Sequence, residues 1–398
     1  MKVGLLTYHS VCNFGANLQA YSTVSFFKNR GIGIKIINWF PTDLEQYYIN
    51  TVPECQRKIH ADFVKQHLPE TKLCRTSSDV AKVITDENFD AIVIGSDAVF
   101  SYYPLLKRIH PSRKTLIGIK QVSSDHKFPN PFWADFKKKN DRLKIIALSA
   151  SAQYLDIDKC LPFEKRNIGN ALKRFDLITV RDRWTKAILN NINPTLDIEI
   201  TPDPVFGFNQ NTNIQTSKKD TLTKFSINGK YVILSFCSKL FNNDWFDELY
   251  SNLHEHGYTV VNLAMPEGCI DIKSDMKINV PLSPLDWYNI IKFSNGYIGQ
   301  RMHPMIVALH NSVPITIFDH YAYKKGRNQL QSSKIYDLLE RAGLLGAYIN
   351  VKDIAHNNIT PSNVCDRFYS FNKQAASTFL AAYHDKYNTL MTKIISLL

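Results

Sequence analysis

The stretch that decides the fold is Asn295–Phe318, NGYIGQRMHPMIVALHNSVPITIF. It reads as a strand, a short polar loop, a helix and a second strand, with the chemistry gathered in Arg301, Met302 and His303. Pro304 has no N–H to offer and a fixed φ, so it suits the first position of a helix. The residue before a proline is steered toward extended geometry. This predicts His303 as the N-cap, with Arg301 on the loop just upstream. Met302, Ile306, Leu309 and Val313, spaced by four, three and four residues, give that helix a buried face. A helix N-terminus attracts anions, because its N–H groups and its dipole both favour negative charge. An arginine and a histidine beside one read as a carboxylate or phosphate pocket with a proton donor; a surface arginine and a merely capping histidine are the local alternative.

Outward from that stretch the chain repeats the same grammar. Lys2–Tyr8 is an apolar strand, His9–Gly15 a polar loop, and a helix from about Ala16 carries Ala20, Val24 and Phe27 on one face before the strand Ile34–Trp39. A βαβ opening implies a parallel sheet with ligands at the carboxyl ends of its strands. The loop lacks the GxGxxG pattern of a dinucleotide fold, and Gly15 fits close helix–strand packing as well as ligand contact. Phe89–Ile94 is a strand with Gly95-Ser96-Asp97 at its carboxyl end, where an Asp serves as a general base or as a helix cap. Leu177–Val180 ends in Arg181, which should point into an interdomain cleft, while Pro202-Asp203-Pro204 reads as a rigid structural corner.

Asn209–Asn228 is polar and without periodicity, as a linker would be, and Tyr231–Phe236 restarts the pattern. A helix is predicted near Ser332–Ala342. From Val364 onward Phe368, Phe371, Phe379, Tyr383, Tyr387, Leu390 and Ile394 recur at mostly helical spacing, which predicts closing helices that pack across both domains or, alternatively, lie on a membrane. The expected architecture is α/β. It has two Rossmann-like βαβ domains facing across a cleft, GT-B-like, at 1–208 and 229–362, with a linker at 209–228 and C-terminal closing helices at 363–398.

A chain of 398 residues is long enough for two cores. Lys and Arg outnumber Asp and Glu by 48 to 36, a formal charge of +12, which suits anionic small molecules or an anionic membrane surface. Nucleic acid is disfavoured: there is no zinc-finger spacing, RNP-type motif or long basic helix. The seven cysteines are scattered and never form CxxC, which argues for reduced thiols in the cytosol and against a structural zinc. The N-terminus reads as a first strand, too short for a signal peptide. No apolar run approaches the ~18 residues of a spanning helix. The expectation is a cytoplasmic protein, free or peripheral on the inner face of the membrane.

Four segments, in this order, resemble the polysaccharide pyruvyl transferases. They are YHSVCNFGANLQAY (Tyr8–Tyr21), IVIGSDAVF (Ile92–Phe100), TVRDRWT with TPDPVF (Thr179–Thr185, Thr201–Phe206), and the Arg301-Met302-His303 stretch. Ala98 and Phe100 stand where the family usually has Gln and Trp, and Pro304 where it more often has a small residue. The resemblance implies transfer of pyruvate from phosphoenolpyruvate to two hydroxyls of a sugar, giving a cyclic ketal and phosphate. The acceptor would be a glycan or a lipid-linked saccharide in surface polysaccharide biosynthesis, such as capsule.

That reaction assigns roles. The donor carries a phosphate and a carboxylate, which call for two cations; Arg301 and Arg181 are the candidates, one from each domain, with Met302 and His303 beside them. The enol methylene must take a proton, and His303 is the candidate acid. Each hydroxyl must lose one, and Asp97 is the candidate base. Asn13, Gly15 and Ser96 are candidates for acceptor contact. The reaction calls for no cofactor and no metal, with phosphoenolpyruvate as co-substrate. A GT-B glycosyltransferase using a nucleotide sugar and a non-catalytic module binding phosphosugars or anionic glycans are the alternatives.

Overall fold

The computed structural model describes residues 1–112, 116–137, 142–319, 333–351 and 359–398. The basic, aromatic stretch Tyr321–Arg327, the start of the helix expected from Ser332 and all but Lys137 of the Lys137–Lys139 run lie outside the described residues.

In chain order the first half contributes β1 (Lys2–Leu6), β2 (Gly33–Ile36), β3 (Ala91–Asp97), β4 (Ile109–Ser112), β5 (Leu116–Ile119), β6 (Lys144–Ala150), β7 (Leu177–Val180) and β8 (Ile198–Ile200). Six of these form one sheet in the order β2-β1-β3-β6-β7-β8, and β4 and β5 form a separate antiparallel hairpin. The second half contributes β9 (Tyr231–Ser235), β10 (Thr259–Leu263), β11 (Met276–Ile278), β12 (Gly296–Gln300), β13 (Ile315–Asp319) and β14 (Tyr348–Asn350). Their order is β11-β10-β9-β12-β13-β14, and neighbours in both six-stranded sheets run parallel. The central strands are aliphatic on both faces, as a sheet covered by helices on each side requires: Ile92, Val93, Ile94, Val232, Ile233 and Leu234 are all 0% exposed.

Both sheets reverse direction once. The chain leaves β1 for β2, then returns to place β3 on the other side of β1; it leaves β9 for β10 and β11, then returns to place β12 beside β9. Such switch points open a crevice above the carboxyl ends of the two strands, where ligands of parallel α/β sheets bind. Asp97 closes β3, and Arg301 directly follows β12.

Between the sheets, 209–228 is not featureless. Lys218–Lys224 is a helix, started by a capping box in which Ser217 accepts from the Asp220 N–H and Asp220 accepts from the Ser217 N–H. The closing helix Lys373–Leu397 spans both halves. Ala376, Leu380 and Tyr383 join the core under the second sheet, while Tyr387, Leu390, Met391 and Ile394 join that under the first. Its apolar stripe is thus used in packing. Among the described residues no helix is long and apolar enough to cross a membrane.

Candidate active site

β12 enters its helix, Met302–His310, without a loop: Arg301 alone turns the chain, at φ 71° and ψ 153°. A non-glycine residue held at positive φ stores strain of the kind that collects at functional sites. His303 is therefore the second helical residue and not the N-cap, and Pro304 is the third. The proline remains in the first turn, where its missing N–H leaves no hydrogen bond unmade. All nine residues of this helix are buried, against the Phe14–Lys28 helix, the Pro204–Gly207 turn and the closing helix.

The His303 imidazole lies on the first turn of the Phe14–Lys28 helix. A Cβ at Gly15 would stand 2.0 Å from His303 Cγ, so only glycine leaves room for the ring. Asn13 caps that helix, accepting from the N–H groups of Gly15 (3.0 Å) and Ala16 (3.3 Å). His303 is 8% exposed, and its Nε2 is buried, without a hydrogen-bond partner among the described residues and 4.0 Å from Asp203 Oδ2.

Behind the ring runs a buried charge network. Gln19 Nε2 donates to Asp203 Oδ2 (2.5 Å), Arg181 Nη1 to the same oxygen (2.9 Å), and Arg181 Nη2 to Asp97 Oδ1 (2.7 Å). Lys334, the first residue of the Lys334–Arg341 helix, brings Nζ within 3.9 Å of Asp97 Oδ1 and donates to Gln153 Oε1 at 2.9 Å. Gln19, Asp97, Arg181, Asp203 and His303 come from the four sequence segments singled out above, and they meet in this one cluster.

The electrostatics follow from burial and these partners. Burial pushes the Asp97 carboxyl up, but Arg181, then Lys334 and His303, outweigh it and hold it well below the usual carboxylate range. Burial pushes His303 down, with Arg181 and Lys334 in the same direction and Asp97 and Asp203 opposing. Burial, helped by Arg181, brings Lys334 down to about 8.

A cavity of about 440 Å³ opens in front of the cluster. Asp97, Arg301, Met302, His303 and Lys334 are among its lining residues. Arg301 pairs with Glu267 at 2.9 Å and keeps 28% of its side chain exposed. The lining is also aromatic: Tyr103 and Tyr154 stack with centroids 5.2 Å apart, beside His126, and Tyr8 donates to Asp125 at 2.8 Å.

Four sequence expectations need correction here. Arg181 is 2% exposed and does not line the cavity; both its Nη groups are taken by carboxylates, so it holds Asp97 and Asp203 in place and is not poised to clamp a ligand. Ser96 is 1% exposed and donates to the Ser149 carbonyl, away from the cavity. Gly15 seats His303 and does not line the cavity, whereas Asn13 does. Asp97 reaches the cavity, but a carboxylate held that acidic is a weak base. Lys334, Glu267, Asp125 and the Tyr103–Tyr154 pair carry no local motif. Asp203 sits in TPDPVF, whose prolines mark a corner and not its charge.

The family model for polysaccharide pyruvyl transferases matches residues 13–321. The chain belongs to the polysaccharide pyruvyl transferase family. Membership makes it a transferase of polysaccharide biosynthesis. No curated protein matches it in sequence. Among solved structures, the glycosyltransferase SnogD from Streptomyces nogalater superposes with a TM-score of 0.50 at 10% identity, covering 100% of this chain and 99% of that one. The UDP-GlcNAc 2-epimerase from Neisseria meningitidis, bound to UDP-GlcNAc, gives 0.48 at 9% identity over 96% and 100%. The first of these likenesses shows the fold: this family member is built from two Rossmann-like domains in the GT-B manner.

Proposed function

We propose that this pyruvyl transferase family member moves pyruvate from phosphoenolpyruvate onto two hydroxyls of one sugar, in a glycan or lipid-linked saccharide, forming a cyclic ketal and releasing phosphate. The observation that carries the reading is a cavity whose lining brings together the buried His303, its Nε2 without a hydrogen-bond partner among the described residues, and two cations, Arg301 and Lys334. Phosphoenolpyruvate carries both of its anionic groups on C2, next to the methylene carbon that must be protonated. Arg301 and Lys334 take those anionic groups, with Arg301 exchanging Glu267 for the donor.

His303 is poor at holding a proton in the empty site, because burial, with Arg181 and Lys334 in the same direction, outweighs Asp97 and Asp203. A bound dianion reverses that local field and lets the imidazole arrive protonated. It then gives the proton to the methylene carbon as the first hydroxyl adds at C2. The neutral ring is next free to accept a hydroxyl proton while the second hydroxyl displaces phosphate, which leaves with the remaining proton. Asp97, fixed by Arg181, accepts a hydrogen bond from the acceptor and orients it. The Tyr103–Tyr154 wall offers an aromatic face for the sugar ring. No cofactor is invoked.

The test is phosphate release from phosphoenolpyruvate, screened against galactose- and mannose-type acceptors with mass detection. Acceptor-dependent release with a ketal product supports the reading. Release of a nucleoside diphosphate from a nucleotide sugar, with phosphoenolpyruvate untouched, would replace it with glycosyl transfer.

A further inference from the structure

The β4–β5 hairpin stands apart from both sheets and has an unusual face. Its register pairs Ile109 with Ile119 and Pro111 with Ile117. Partners in register share a face, and residues two apart along a strand share it as well, so all four side chains point the same way. That face is open to solvent: Ile109 is 40% exposed, Ile117 63% and Ile119 50%, with Leu106 at 46% in the preceding turn. None of these residues belongs to a hydrophobic core formed among the described residues. Contiguous exposed aliphatic side chains of this kind mark an interaction surface.

The charge around the face narrows the choice of partner. Among the described residues, the preceding turn, the two strands of the hairpin and the residue that follows them carry Lys107, Arg108 and Lys120 and no Asp or Glu. Of these, Arg108 donates to the Lys120 carbonyl across the base of the hairpin, and Lys120 is itself exposed. A second copy docking the same patch about a two-fold axis would set these cations against each other, which costs association energy. An anionic bilayer meets both demands, with acyl chains for the isoleucines and headgroup charge for the basic rim.

The hairpin is also placed at the cavity. Lys107, in the turn that feeds β4, donates to the Tyr154 carbonyl at 3.1 Å and lies 4.8 Å over the Tyr103 ring, and both tyrosines line the cavity. We infer that the β4–β5 hairpin docks the protein on an anionic membrane surface, with the mouth of the active-site cavity beside the headgroups. A membrane-held acceptor could then reach the site without leaving the bilayer. The inference is independent of the transfer chemistry, because docking is read without turnover.

Co-sedimentation of the full chain with vesicles tests it. The protein should pellet with vesicles of phosphatidylcholine and phosphatidylglycerol in equal parts, stay in solution with phosphatidylcholine alone, and be released by salt. Ile117→Ser with Ile119→Ser should weaken binding by about tenfold or more, and Lys120→Gln by roughly fivefold. Both variants should melt like the parent, because the altered side chains are exposed. The inference is overturned if the parent ignores the mixed vesicles or if the double isoleucine variant pellets as the parent does. It is equally overturned if sedimentation velocity shows a parent dimer that the double variant converts to monomer, since a second copy would then cover the face.

Discussion

The His303 imidazole sits where a side chain at Gly15 would be, with His303 Cγ only 2.0 Å from the position of an added Cβ. The two residues lie on helices from different halves of the chain, so this contact sets the ring relative to both switch points. Gly15→Ala should therefore push the ring out of place. Misplacement by about 1 Å costs catalysis roughly 10²-fold. The expected result is a folded variant with phosphoenolpyruvate turnover down by about that factor, measured by phosphate release alongside a thermal melt.

Arg181 offers a contrast between holding the site and touching the ligand. Its guanidinium joins two buried or nearly buried carboxylates, Asp97 and Asp203. Removing one member of a buried ion pair costs about 3–5 kcal/mol. Arg181→Met should lower unfolding free energy by an amount of that order in a denaturant titration. A variant as stable as the parent, with only a raised KM for the donor, would restore Arg181 as a ligand contact.

Lys334 should behave in the opposite way. Lys334→Met is expected to fold and to raise KM for phosphoenolpyruvate about tenfold or more, the size of one lost charge-assisted bond. Burial brings this ammonium down to about 8, so in the parent donor binding should weaken as pH rises through that region and the charge is lost. Lys334→Arg, which keeps its charge, should flatten that limb. An unchanged KM in Lys334→Met would remove this residue from the donor site.

A separate pH effect concerns stability. His60 is 2% exposed, with Nδ1 2.5 Å from Asn17 Oδ1, and burial lowers it to about 4. In the unfolded chain its pKa is about 6.5. The folded protein thus resists protonation that the unfolded chain accepts, and stability falls as pH drops from about 6.5 toward 4. The loss attributable to this one group is roughly 2 kcal/mol by pH 5. His60→Gln should lose correspondingly less stability than the parent between pH 7 and pH 5, whatever its stability at neutral pH.

Much of this arrangement is legible in the sequence because strands buried on both faces are written as short aliphatic runs, and their carboxyl ends are where Asp97, Arg181 and Arg301 stand. The residue-level start of the His303 helix is not legible. Pro304 fits the first helical position or the third equally well, and the choice is made by Arg301 accepting a positive φ, which no local pattern announces. The sequence puts Arg181 at the end of its strand, but whether a guanidinium there faces ligand or carboxylate depends on Asp203, 22 positions away in sequence. Lys334 lies beyond any local signal, because it reaches the site only once the second sheet and its following helix are assembled.

The most direct measurement is pyruvyl transfer in deuterated water, with mass detection of the ketal, for the parent and for His303→Gln. Glutamine can keep a hydrogen bond to the donor but cannot deliver a proton to carbon. The parent should make a ketal whose methyl group carries solvent deuterium. The variant should still be stabilised against heat by phosphoenolpyruvate, as a ligand that binds only the folded state requires, and should make none of the ketal. Turnover near the parent's in His303→Gln would contradict the role of His303 as the acid and leave Arg301 and Lys334 as anion clamps around a different proton source.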